Sequence, residues 1–332
     1  MASIKLCVFT THSDYIPNIS NTTNTSLRIF LQRLHMSPIY DDIVTRDVLL
    51  RVAELLKWNT ANYITPVCRN ITNDEGELVG SATFVRLNGY PYLLTNEHVA
   101  RARLQHTLSH FSGLDDRSVY RIIHPFYCLT YPTDAAFTRI DDLIEKKISR
   151  DFVSSACWET DYHPSDGEIL FIHGYPGRNS HFSAIASGLL TRTLPFATPA
   201  VPLPPLPDKY DPDMHFAISF PRDIKMMDFN GRPADLPDPR GMSGSIVWDS
   251  RYVRLAKQDV QWCPQHAKPC GLIYAWEPDY DCLVGTKIQY VRAFLLQALR
   301  MEAAYFNWIN RGKPENDALT DWIHAENIIE TI

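Results

Sequence analysis

The chain has 332 residues, 45% of them hydrophobic and 21% charged, enough apolar material for a sizeable core in one large domain or two small ones. Its net charge is −6 with no lysine/arginine block, which argues against a nucleic-acid partner, because phosphate contacts need clustered positive charge. The opening MASIKLCVFTTHSDY lacks a secretory signal's apolar core, no stretch reaches the roughly 20 apolar residues of a membrane span, and the seven cysteines have no disulfide-like spacing, so a soluble, cytoplasmic chain with reduced thiols and no membrane association is expected.

Residues 1–37 are rich in Ser, Thr and Asn and carry no periodic signal; without secretion the sequons at Asn18, Asn21, Asn24 and Asn70 carry no meaning. Residues 41–58 place Ile43, Val44, Val48, Leu49, Val52, Leu55 and Leu56 at helical spacing, after two aspartates suited to a helix start. From residue 63 the texture changes to short strand-like runs: 63–71, 78–87 and 90–100, with turn signals between them. Further runs are VYRIIH (119–124), DAAFTRI (134–140), EILFIHGYP (168–176), SAIASGLLTRTL (183–194), HFAISF (215–220), GSIVW (244–248), CGLIYAW (270–276) and LVGTKI (283–288). Many short strands without strand–helix alternation predict a mainly β sandwich or barrel. The proline-rich 195–212 reads as a surface loop, since proline has no donor for a central strand's ladder. From Tyr290 the period turns helical through Val291, Phe294, Leu295, Ala298 and Leu299, with Gly312 and Pro314 as stop signals, and a short second helix is expected over 316–330. The expected organisation is an N-terminal extension with one helix (1–60), a β domain (61–297) and a C-terminal helical tail (298–332).

Three fragments carry chemistry together. In LLTNEHVA, His98 follows a strand end; in TDAAFTRI, Asp134 opens an alternating strand; in GMSGS, Ser243 sits between glycines ahead of an apolar run. Each alone has a bland reading: a packing histidine, a strand-start aspartate, a glycine turn. Acyl transfer through serine needs a histidine to take the hydroxyl proton and a carboxylate to orient that histidine. It also needs backbone N–H donors for the oxyanion, here Gly241 and Ser243. Asp141 and Asp142 are rival acids, but they follow their strand instead of opening it. An α/β-hydrolase elbow reads Gly-x-Ser-x-Gly, whereas this chain has Ser245 in the fifth place, no suitable histidine context after Ser243, and no strand–helix alternation. HGYPG (173–177) is similar to an oxyanion loop of that fold but reads better as a turn after a strand.

The segments GSATFVRLNGYPYLLTNEHVA, DAAFTRI, GMSGSIV and CGLIYAWEPDYDCLVGTKIQYVRAFL occur in the order of a trypsin/chymotrypsin-like serine peptidase, and the chain resembles the disulfide-poor, bacterial-type members over about residues 63–297. The resemblance implies two six-stranded antiparallel β-barrels with His98 as general base and acid, Asp134 as orienting carboxylate and Ser243 as nucleophile in the cleft between them. It implies a substrate groove at Tyr274, Ala275, Trp276 and Leu283; bulk at the last of these and at Trp276 would make the pocket shallow and favour a small P1 residue. The chain departs from secreted relatives at Ala100, where they carry a cysteine, and at Met242, where an activating aspartate often precedes the serine. Control by the N-terminal extension, the tail or a regulatory protein partner is therefore expected instead of activation by cleavage. Pro237 stands six residues before the serine, which disfavours a basic P1, though Asp238 is adjacent. Cys263, His266, Cys270 and Cys282 could bind zinc, but their spacing matches no standard site and a surface hairpin is the simpler reading. His106, His110 and His124 are expected as surface or packing residues. No cofactor or metal is required. Two functions follow: a serine endopeptidase with a restricted protein or peptide substrate, or a catalytically silent protease-fold scaffold.

Overall fold

The computed structural model describes residues 44–72, 75–111, 118–148, 150–165, 167–177, 181–183, 188–189, 193–222, 226–227, 233–313 and 318–329. The polar segment 1–37 and most of the strand expected over 183–194 lie outside them.

The expected first helix is α1, Arg46–Thr60. Its cap is Thr45, whose hydroxyl accepts from Val48 N at 3.3 Å, and it buries Val52, Ala53, Leu56 and Thr60. Strands β1 (Ile64–Asn70), β2 (Glu75–Leu87) and β3 (Tyr90–Thr95) follow as an antiparallel meander. A single-turn helix, α2 (Glu97–Ala100), leads to β4 (Leu108–Phe111), β5 (Val119–Arg121), β6 (Phe126–Leu129) and β7 (Ala135–Arg139). After another single turn, α3 (Asp142–Glu145), comes the two-residue β8 (Val153–Ser154). The second half contains β9 (Ile169–Gly174), β10 (His181–Ser183), β11 (Gly188–Leu189), β12 (Leu194–Val201), β13 (His215–Ser219), β14 (Met226–Met227), β15 (Pro233–Ala234), β16 (Ile246–Asp249), β17 (Lys268–Glu277) and β18 (Cys282–Lys287). Helix α4 (Tyr252–Ala256) lies between β16 and β17, and α5 (Ile288–Asn310) and α6 (Ala318–Ile329) form the tail.

The molecule is mainly β. Six strands close into an antiparallel barrel in the order β12-β13-β18-β17-β16-β9. The other half is a ten-stranded sheet along the path β5-β4-β1-β2-β3-β7-β6, with β8 and β10 on β2 and β11 on β10. Of the two closed barrels that the resemblance implies, one is therefore present; the end strands β5 and β6 of the other sheet do not pair with each other among the described residues.

One core cluster ties the halves together. It joins Leu56 of α1, Val85, Leu94 and Phe137 of the sheet, Phe171, Ile246 and Leu272 of the barrel, and Val291 and Leu295 of α5. Helix α5 presents the apolar stripe its sequence period calls for, with Ile288, Val291, Leu295, Ala298 and Leu299 buried. It ends just before Gly312, which takes the left-handed φ of +80° that a helix stop favours.

The proline-rich connection is the main departure. Its first residues are β12, a barrel strand, not a loop. The strand pairs with β9 from Leu194 to Pro199 but with β13 only at Ala200 and Val201. Over most of its length one side is thus an open edge, where proline loses no ladder donor.

Two histidines are folded in neutral. Thr60 gives its hydroxyl hydrogen to Leu56 O (2.8 Å), so His173 Nδ1 donates to Thr60 Oγ1 (2.8 Å), and the other ring nitrogen, Nε2, is buried without a partner among the described residues. Burial lowers the pKa of His173 to about 3 and that of His110 to about 4, from an ordinary value of 6.5. Between those values and 6.5 the unfolded chain binds protons that the folded chain refuses, so stability is lost as pH falls. Asp249, raised from 3.8 to about 6 by burial and the neighbouring Glu168, acts in the opposite direction, but as one group against two. Melting temperature is expected to fall from pH 6.5 to 4, and less steeply in His173→Gln. Equal slopes in thermal melts of the two proteins would refute this account.

Candidate active site

The end of β3 and the start of α2 place the histidine. Thr95 Oγ1 donates to Ser81 O (2.7 Å), holding the strand end on β2, and Asn96 Nδ2 donates to Asp134 O (2.6 Å). His98 follows on the single turn of α2. Asp134 stands just before β7 with φ of +44°, a left-handed conformation that aspartate tolerates better than most residues. Its carboxylate holds His98 at two points: Oδ1 accepts from His98 N (3.1 Å), and Oδ2 lies 2.6 Å from His98 Nδ1. An ionised carboxylate can only accept, so Nδ1 carries the hydrogen and a neutral ring presents Nε2 as an acceptor. The Asp134 side chain is 12% exposed and that of His98 42% exposed, so the carboxylate is enclosed and the ring opens to solvent.

The serine lies in a turn ahead of β16. Met242 N donates to Pro239 O (2.8 Å), Gly244 N to Ile273 O (2.9 Å) and Ser245 N to Met242 O (3.0 Å). Among the described residues the N–H groups of Gly241 and Ser243 make no hydrogen bond. Both Gly241 (φ +103°) and Gly244 (φ +87°) need left-handed backbone, and a side chain at Gly244 would put Cβ 2.0 Å from Ser81 O. Met242 is buried among the barrel's core residues, which anchors the turn from below.

Ser81 joins the two pieces. Its N–H donates to Ser243 O (2.7 Å), its hydroxyl donates to Gly241 O (2.8 Å), and it accepts from Tyr175 N (2.9 Å). Gly80 lies where the histidine and serine segments meet: a Cβ there would come within 2.5 Å of Val99 Cγ2 and 3.2 Å of Ser243 O. The barrel also grips the loop ahead of Asp134. Thr286 Oγ1 donates to Thr133 O (2.9 Å), and His215 Nε2 lies 2.8 Å from Pro132 O. His215 Nδ1 accepts from Asp211 N, so Nε2 is the donor. The structure thus joins His98 to Asp134 directly and sets the Ser243 turn beside them, while no hydrogen bond joins Ser243 Oγ to His98 among the described residues. Sequence reasoning missed Ser81, His215 and Thr286, because nothing in an isolated strand residue marks a partner 80 or more positions away.

The expected groove residues lie on β17 and β18. Tyr274 packs its ring 5.4 Å from His215, and its hydroxyl is buried without a partner among the described residues. Ala275 sits at a register shift in β17. Trp276 is half-buried, with the Arg240 and Arg222 guanidiniums 5.5 and 5.9 Å from its ring centre. Leu283 pairs with Trp276 across the strands but is 1% exposed, its side chain turned into the barrel core, so it does not line the groove as expected. Asp238 is paired with Arg240 at 3.3 Å. The HGYPG segment begins in β9 and buttresses the serine turn, through Tyr175 N on Ser81 and Gly177 N on Arg240 O (2.7 Å). Cys263 and His266 touch (3.5 Å), but Cys270 and Cys282 are buried in separate strands, and the described residues contain no group of three potential metal ligands. His110 is buried against Phe84, and His106 and His124 are half-buried. No helix among the described residues is long and apolar enough to cross a membrane.

A family described as a protein of unknown function, DUF2934, matches residues 301–331. The chain matches no curated protein. Among solved structures it is similar to an HtrA-type protease, AlgW, solved with a tripeptide, at 14% identity and a TM-score of 0.42, over 74% of this chain and 62% of that one. It is similar to Deg5 at 13% identity and a TM-score of 0.43, over 75% of this chain and 94% of that one. It is also similar to tobacco etch virus protease complexed with product, at 11% identity and a TM-score of 0.36, over 69% and 73% of the two chains. The chain thus spans less than two thirds of the length of AlgW.

Proposed function

We propose that the chain is a serine endopeptidase of the two-barrel trypsin/chymotrypsin kind, acting on a restricted protein substrate. Ser243 Oγ attacks the scissile carbonyl carbon while His98 Nε2 takes its proton. Asp134 holds the resulting imidazolium in place. The N–H groups of Gly241 and Ser243 receive the oxyanion. His98 then protonates the leaving amine, and water, deprotonated by the same ring, releases the acyl group from Ser243. No metal or organic cofactor enters these steps. Strand β17 supplies backbone for the substrate to pair with, and Tyr274, Ala275 and Trp276 form the wall beside it.

The observation that carries this reading is the two-point clasp of His98 by Asp134, at 3.1 and 2.6 Å, next to a serine turn whose two candidate oxyanion donors are unoccupied among the described residues. A solvated packing histidine has no need of an enclosed carboxylate on both its backbone and its ring. One observation favours the scaffold alternative: Ser243 Oγ is not hydrogen-bonded to the ring. Catalytic hydrogen bonds often tighten only on substrate binding, so this geometry is compatible with turnover.

A fluorophosphonate probe separates the two readings. Wild-type protein is expected to be labelled and Ser243→Ala is not. No labelling of folded wild type, with or without added peptide, would establish the scaffold.

A further inference from the structure

Helix α5 has two faces. Its apolar stripe lies on the barrel, and its polar stripe carries Gln289, Arg292, Gln297 and Arg300, spaced at 3, 5 and 3 residues along one side. Such a stripe is ordinarily solvated. Here it forms one wall of a cavity of about 430 Å³ whose other walls include Thr160, ahead of the barrel, and Trp322 of α6.

The walls are fixed. The buried Asp321 of α6 pairs with Arg311 at 3.0 Å, and Ile329 reaches the main core, so α6 is held back against α5. Trp322 Nε1 donates to Glu326 (2.8 Å), which sets the indole's orientation. Gln289 bonds both backbone groups of Tyr162, accepting from its N–H and donating to its carbonyl, each at 3.3 Å, and so holds the Thr160 side.

The chemistry of the lining is one-sided. Among the described residues two arginines and no acid line the cavity, in a chain of net charge −6. Arg292 is half-buried and makes no ion pair or hydrogen bond among the described residues. A guanidinium fork matches the paired oxygens of a carboxylate or a phosphate, and pockets of roughly 300–1,000 Å³ take whole small molecules. We propose that this cavity binds a small organic oxyanion, with Arg292 on its charged group and the Trp322 indole against its body.

The test uses the full chain and calorimetric titration with inorganic phosphate, citrate and the uncharged control glycerol. Saturable binding of phosphate or citrate but not glycerol is expected. Preference for phosphate points to a phosphate-bearing ligand, and preference for citrate to a carboxylate. Arg292→Gln is expected to weaken binding at least tenfold, and Arg292→Lys, which keeps the charge but loses the fork, by less. Tryptophan fluorescence should respond to the anion in wild type and not in Trp322→Phe. No saturable binding of either anion, or unchanged affinity in Arg292→Gln with its fold intact by circular dichroism, overturns the proposal. The outcome is independent of whether Ser243 reacts.

Discussion

Asp134→Asn is expected to lower peptide turnover about 10⁴-fold while leaving the fold intact. The carboxylate accepts two hydrogens from His98, one from the backbone and one from Nδ1. An amide has one accepting and one donating end. If its oxygen keeps the backbone N–H of His98, its NH₂ faces Nδ1 and forces the ring hydrogen to Nε2. That nitrogen can then no longer take the serine proton. Asparagine is the informative replacement because it tolerates the left-handed φ of +44° at this position, whereas alanine would add backbone strain to the chemical effect. Fluorophosphonate labelling rates and kcat should fall together, with little change in melting temperature. A variant as active as wild type would remove Asp134 from the mechanism and return attention to Asp141 and Asp142.

Gly244→Ala is expected to cost about 3 kcal/mol or more of folding stability, or to abolish folding. The added Cβ would stand 2.0 Å from Ser81 O and 2.5 Å from Thr95 Oγ1, so backbone must move, and the backbone concerned is the one that brings the serine turn to the histidine strand. Gly89 is the control. It also has positive φ (+78°), but nothing lies within 4 Å of a Cβ there, so Gly89→Ala carries only the conformational cost of roughly 1–2 kcal/mol. Chemical denaturation of the pair isolates the steric part. Equal losses at the two sites would mean that the close approach of Gly244 to Ser81 contributes nothing.

The chain's own pattern decided its local structure. Apolar periodicity marked α1 and α5, alternation and turn residues marked most strands, and the order of His98, Asp134 and Ser243 with their neighbours identified the residues worth testing. These signals are local, each set by a side chain's own backbone preference or by burial of one face of one element. The tertiary structure decided the rest. Pro195 and Pro199 fit a barrel strand only because β13 leaves most of that side of β12 unpaired. Ser81 bridges Gly241, Ser243 and Tyr175 only because β2 runs beneath the serine turn. The polar face of α5 becomes the wall of a cavity only because α6 folds back across it. In each case the deciding partner lies far along the chain, and a residue's own type carries no record of which distant group will meet it.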